Sequence, residues 1–236
     1  MIGRLKEIVL DLLFPIRAKC LGCGDEQGCS EPFLCDACRK LMRPSNVRAA
    51  HDEWKEHGLE SSLFVYYYGK PVSGMIKAFK FHGVTMLAEA MAGEMANLLE
   101  LRNMTDYDMI VPVPLHPSRL YHRGYNQSEL LAKEVSKLIG LDMRTDVLSR
   151  VRKTRQQSKL KRFERSSNTA SAFRAETDLT GKRILLIDDV VTTGSTLCAC
   201  AEALKAAGAA DIRALTLAGS RSIRKGPAKV YRFRKK

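Results

Sequence analysis

The chain has 236 residues, 45% of them hydrophobic, with 39 Lys and Arg against 26 Asp and Glu for a formal net charge of +13. That length accommodates one good-sized domain with a small module, or two modest domains, and the ordinary apolar fraction excludes wholesale disorder. No uninterrupted apolar run approaches the ~18–20 residues of a membrane span, and the positive charge points to polyanions without choosing among nucleic acid, an anionic surface and phosphorylated small molecules.

The first run, MIGRLKEIVLDLLFP, places apolar residues at Leu5, Ile8 or Val9, Leu12 and Leu13 with charges between them. This spacing predicts a short amphipathic helix stopped by Pro15. A secretory signal would keep its apolar core free of charge and end in a small-residue cleavage site, so the expected location is the reducing cytoplasm, where disulfides are not expected. The seven cysteines therefore need another role. Five lie between Cys20 and Cys38, and four of these form two C-x-x-C pairs, Cys20/Cys23 and Cys35/Cys38, eleven residues apart. A C-x-x-C turn aims two thiolates at one centre, and two such turns supply the four soft ligands of tetrahedral zinc. Gly22 and Gly24 permit the tight knuckle, and so few large apolar residues surround it that a fold here needs a staple. The alternative is a set of unliganded or redox-active thiols. Cys29, between the pairs, reads as a spare.

Residues 1–43 thus form an expected helix and zinc module, and residues 44–60 a polar connector carrying His51, Trp54 and His57. The two histidines are either surface residues or alternative metal ligands. A main domain is expected over 61–220, followed by a basic tail, 221–236. Within the domain, 62–68 reads as a strand, 72–81 and 86–102 as helices, and 109–113 as a short apolar strand. The run 125–139 has Leu130, Leu131, Val135 and Leu138 at helical spacing before Gly140, an expected C-cap. Strand 184–187, helix 196–207 and strand 212–217 complete the order, with Cys198 and Cys200 as small core residues. Strands alternating with helices imply an α/β fold, a mostly parallel sheet flanked by helices, which binds ligands beyond the carboxyl ends of its strands.

The most informative run is RILLIDDVVTTGST, residues 183–196. An apolar strand leads to two adjacent carboxylates, two β-branched residues, and a Thr/Gly/Ser loop where a helix begins. Backbone N–H groups at a helix N-terminus, with hydroxyls beside them and Gly194 allowing close approach, suit a phosphate dianion. Carboxylates aimed at that phosphate would repel it, so they serve better a few ångströms away, on ribose hydroxyls or Mg²⁺. Strand, acid pair and loop together describe a ribose 5-phosphate site.

This run resembles the phosphoribosyl pyrophosphate (PRPP) motif of the type I phosphoribosyltransferases. Asp188, Asp189, Val190, Val191, Thr192, Thr193, Gly194, Ser195 and Thr196 fall on that motif without a gap. The resemblance implies that Asp188 and Asp189 contact the ribose hydroxyls as catalytic carboxylates, with residues 192–196 on the 5-phosphate and Mg²⁺ bound alongside PRPP. A second segment, VPVPLHPSR at 111–119, follows a strand, and Pro112, Pro114 and Pro117 argue against helix or central strand there. It resembles the pyrophosphate loop of the same fold, with Arg119 and Arg123 for the polyphosphate and Gly124 opening the next helix; the alternative for both arginines is a solvated loop face. A four-cysteine module before such a domain, PVPLHPSR followed by RGYNQ, and then Lys153-Thr154, Gln157, Arg165 and Asn168, together resemble the ComF/GntX family. The resemblance runs from Phe14-Pro15 to about Leu217 and implies a role in natural transformation, the uptake of DNA by competent bacteria. It supplies no acceptor.

Residues 151–180 carry eight Lys and Arg against three acids, and residues 221–236 carry eight and none, which together equal the whole net charge. The run 150–165, which holds most of the first group, reads as a mobile hood over a polyphosphate, with Lys153 the first choice for a pyrophosphate contact, or else as a solvated basic loop. Tyr121 and Tyr125 are either base-stacking or packing residues. The tail, with Tyr231 and Phe233 among its basic residues, suits single-stranded DNA, or is a frayed terminus. The functional expectation is a PRPP-binding protein of DNA uptake, either a phosphoribosyltransferase or a non-catalytic PRPP sensor or single-stranded-DNA module that docks to DNA-uptake proteins.

Overall fold

The computed structural model describes residues 19–25, 33–45, 48–151 and 172–220. The expected N-terminal helix, Cys29, Lys153 with most of the basic hood, and the C-terminal tail lie outside them. In chain order the elements are α1 (Asp36–Leu41), β1 (Arg48–Ala49), α2 (Asp52–Glu56), β2 (Ser61–Tyr67), α3 (Val72–Phe81), α4 (Leu87–Leu101), β3 (Met109–Pro112), α5 (Pro117–Arg123), α6 (Gln127–Ile139), β4 (Leu148–Arg150), β5 (Phe173–Ala175), β6 (Arg183–Val191), α7 (Ser195–Ala206) and β7 (Asp211–Gly219).

The main sheet has the order β1-β2-β7-β6-β3. β2, β7, β6 and β3 are parallel, and β1 closes one edge antiparallel to β2. This is the expected helix-flanked parallel sheet, and its central strand shows why. Along β6, Leu185 and Ile187 face one apolar layer while Ile184 and Leu186 face the other, all four fully buried. A strand covered on both faces must be apolar at every position, and each such side chain contributes about 1.5–3 kcal/mol of burial. The first layer holds α3, α4 and α6 through Phe79, Met91, Met95, Leu99 and Leu131; the second holds α2 and α7 through Trp54, Leu197 and Leu204.

Three differences from the sequence reading bear on the site. Pro117 does not exclude helix but starts α5, since a proline in the first helical turn loses no hydrogen bond. Gly124 does not open the next helix; it ends α5 in the left-handed conformation, φ 80°, and Asn126 caps α6 instead, its side chain accepting from Ser128 N at 3.1 Å. Residues 44–60, expected as a connector, contribute the edge strand β1 and the helix α2, whose Trp54 is only 4% exposed. The hairpin of β4 and β5 was too short for its periodicity to register.

Candidate functional site

The parallel strands share one carboxyl edge, and the register sets what meets there. Pro112 of β3 pairs with Ile187 of β6, and Val113 N donates to Ile187 O at 2.9 Å, so the loop after β3 departs beside Asp188. β6 then carries the two aspartates, and its last residue leads into the loop before α7. Val191 keeps its side chain in the core, 2% exposed, and Val190 packs partly against the other layer, so Thr192 and Thr193 are the first residues of the loop to face solvent.

The two carboxylates differ. Asp188 Oδ1 accepts from Ser128 Oγ at 2.8 Å and from Asp189 N at 2.9 Å. Burial, then the neighbouring Asp189 charge, pushes its carboxyl up to about 7, against the opposing pull of Lys80 and Ser128. Asp189 is buried and ion-paired, with Lys80 Nζ 2.8 Å from its carboxylate. Both are hard oxygen donors of the kind Mg²⁺ takes.

The loop after β6 is braced from behind. Gly194 adopts φ 83°, and a Cβ there would lie 2.5 Å from the Trp54 indole, so only glycine fits both the turn and the neighbour. Trp54 Nε1 donates to Thr193 O at 3.3 Å. Thr193 Oγ1 and Ser195 Oγ lie 2.7 Å apart, and Ser195 N donates to Thr193 Oγ1 at 3.4 Å. α7 starts at Ser195, with Thr196 half-buried in its first turn, whose N–H groups have no acceptor within the helix.

Cations approach from three elements. Arg123, at the end of α5, donates to Gln127 Oε1 and lies 5.2 Å over the Phe81 ring. Burial lowers its pKa, while the Asp189 charge opposes that shift. Arg150, at the end of β4, stacks 5.1 Å over Phe173; burial depresses it too, then the repulsion of Arg119, with Asp188 among its stabilising neighbours. Arg123, Arg150 and Lys80 therefore share the electrostatic neighbourhood of the acid pair, and Arg119 is near enough to both other arginines to repel them. Tyr121 is 87% exposed and Tyr125 is anchored through its hydroxyl to Phe79 O.

Sequence reasoning missed Lys80, Trp54 and Ser128 as members of this site, and placed Arg150 at the start of the basic hood rather than beside the acid pair. Ser128 follows RGYNQ directly, and Arg150 begins the basic run; those were the available signals. Nothing local marks Lys80 or Trp54, because their partners are 109 and 139 residues away.

The second cluster is the four cysteines. Their sulfurs all lie within 4.8 Å of one another, with Cys23 Sγ 3.9 Å from Cys35 Sγ. Metal–sulfur bonds of ~2.3 Å in a tetrahedron set sulfurs roughly 3.8 Å apart, so the four thiols are grouped at a spacing that could bind a metal ion. Cys35 N donates to Cys20 Sγ at 3.3 Å and Cys38 N to Cys35 Sγ at 3.5 Å. Burial alone would raise the Cys20 thiol, but the backbone N–H groups of Cys35, Cys23 and Gly22 together outweigh it and bring it down to about 6. Cys198 and Cys200, by contrast, are buried on α7 as expected of core residues, and burial pushes both thiols up. His57 pairs with Glu202 of α7 and His51 meets the Trp54 ring edge-to-face; neither is in the cysteine cluster.

Residues 126–235 match the family model of the phosphoribosyl transferase domain. The DNA utilization protein YhgH of Escherichia coli (strain K12) is 34% identical over 188 residues, covering 78% of this chain and 83% of that protein. Competence protein ComFC of Streptococcus pneumoniae is 30% identical over 183 residues, covering 78% and 79%. The chain belongs to the ComF family. Competence protein F of Haemophilus influenzae extends the likeness, at 28% identity, over 220 residues and 96% of its own length. The ComF likeness thus takes in residues beyond the transferase-type domain. Among the described residues no helix is long and apolar enough to cross a membrane.

Proposed function

We propose that the carboxyl edge of the sheet binds PRPP or a related ribose phosphate. Thr192, Thr193, Gly194, Ser195 and Thr196 take the 5-phosphate, Asp188 and Asp189 the ribose hydroxyls, and Arg119, Arg123 and Lys153 the pyrophosphate. The observation that carries this reading is the hydrogen bond from Ser128 to Asp188, which joins the two motif segments, PVPLHPSR with RGYNQ and the acid pair with its phosphate loop, into one site. Mg²⁺, held with the ligand beside Asp188 and Asp189, supplies charge neutralisation for the pyrophosphate. The four cysteines hold structural zinc, the metal their soft donor set and spacing suit.

In phosphoribosyl transfer the pyrophosphate departs as positive charge develops on the ribosyl carbon. The groups that serve that step are the arginines around the leaving group and carboxylates that orient the sugar. A PRPP sensor would use the same contacts without turnover. The relatives' names, DNA utilization and competence, lead us to place this ComF protein in DNA uptake in the cytoplasm, with the basic tail on single-stranded DNA and DNA-uptake proteins as partners.

Thermal unfolding tests the ligand. A ligand that binds only the folded chain stabilises it by about 2.7 kcal/mol at a hundredfold excess over Kd. PRPP with Mg²⁺ is therefore expected to raise Tm, and ribose 5-phosphate to do so more weakly; no shift with either contradicts the proposal. Pyrophosphate release across a panel of acceptors then separates transferase from sensor.

A further inference from the structure

Lys80 stands in the last turn of α3, a helix that belongs to neither motif segment, and its ammonium is 2.8 Å from the Asp189 carboxylate. The Asp189 side chain is 8% exposed and that of Lys80 24%. A buried carboxylate beside a second carboxylate is costly unless a cation compensates it, and Lys80 is the cation seated there. Yet Asp189 is also one of the two carboxylates that, on the reading above, a sugar hydroxyl or Mg²⁺ would engage. One carboxylate cannot give the same lone pairs to an ammonium and to a divalent cation.

We propose that Lys80 is a resident counter-ion of the acid pair, which a divalent cation displaces as the site fills. The inference rests on reading this edge as a ribose phosphate site. The residue is suited to exchange: a compact charge on a flexible four-carbon stem, partly open to solvent, can leave a carboxylate without disturbing the helix that carries it. The displaced ammonium adds to the positive charge that Arg123 and Arg150 already bring to the acid pair, a field that meets a pyrophosphate. Lys80 is thus a positioning residue: it orients the Asp189 carboxylate when the site is empty and sets how much divalent cation is needed to fill it.

The test uses Mn²⁺ as the probe, in zinc-loaded full-length protein at pH 7.5, so that it does not depend on PRPP. Lys80→Gln is expected to bind Mn²⁺ at least tenfold more tightly than the wild type, as read by electron paramagnetic resonance of free Mn²⁺. Lys80→Arg should bind as weakly as the wild type, and adding Asp189→Asn to Lys80→Gln should remove the gain. Equal affinity in wild type and Lys80→Gln, or a gain that survives Asp189→Asn, overturns the proposal. A second measurement needs no variant. Reductive methylation of Lys80, followed by mass spectrometry, should accelerate severalfold when Mg²⁺ is added to the wild-type chain, and an unchanged rate overturns the proposal equally. Failure of PRPP to bind would instead refute the ribose phosphate reading, and would leave both of these results readable.

Discussion

Asp188 concentrates the tension between stability and function at this site. Its carboxyl is held at about 7 where an unfolded chain would leave it near 3.9. Between those values the folded state binds more protons than the unfolded one, so this group's contribution to stability falls as pH rises from about 4 to about 7. Asp188→Asn removes that liability. It is expected to raise the Tm of the ligand-free protein at pH 7.5, by roughly 2–4 °C for each kcal/mol relieved, and to abolish the Tm shift with PRPP. Thermal unfolding of both proteins at pH 5 and pH 7.5 checks this, and a variant no more stable at pH 7.5 contradicts it. Residue identity also explains what could be read in advance. The acid pair and the hydroxyl loop are contiguous, so their chemistry is visible in residues 188–196 alone. Lys80 and Trp54 reach the same site only through the fold, and no spacing in the sequence encodes a partner more than a hundred residues away.

At the level of elements, the loop between β6 and α7 depends on α2, five residues that look like polar connector. Trp54 fills the space that Gly194 leaves open and donates to the loop's backbone. Trp54→Ala should cost about 3–5 kcal/mol, the usual loss for a large aromatic core residue, whereas Trp54→Phe keeps most of the packing and removes only the hydrogen bond. Denaturant unfolding should therefore separate the two variants clearly, while both weaken PRPP binding. Gly194→Ala is expected to impair binding as well, because it combines left-handed strain with a clash against the indole. Long periodic elements were legible to within a residue or two: α3, α4, α6 and β2 lie where their apolar spacing predicts, and so does the short apolar run of β3. Strand β6 runs on through the aspartates because backbone pairing to β7 does not require apolar side chains, as the pair Asp188 with Thr216 shows. Proline at 117 was misleading because the residue that ends one helix is equally able to begin another.

For the whole molecule, the cysteine cluster is not a detached appendage. Cys20, Cys35 and Cys38 share an apolar layer with Val72, Met75 and Ile76 of α3, and a Cβ on Gly74 would lie 2.0 Å from Leu21 O. The same helix delivers Lys80 to Asp189. If the four cysteines hold zinc as proposed, its removal with a chelator under reducing conditions should lower Tm and weaken PRPP binding together. A loss of metal that leaves both unchanged would show that the cluster does not support the site. Charge is distributed on the same scale: sixteen of the 39 Lys and Arg lie in residues 151–180 and 221–236. If the tail binds single-stranded DNA, affinity should fall steeply with salt and after removal of 221–236, with PRPP binding unaffected. Calorimetry of the full-length protein with PRPP and Mg²⁺ decides whether one site at the sheet edge holds a ribose phosphate. Saturable binding at one site per chain is expected, lost when Asp188→Asn and Asp189→Asn are combined. Absence of binding by the wild type, or binding that persists in the double variant, would contradict it.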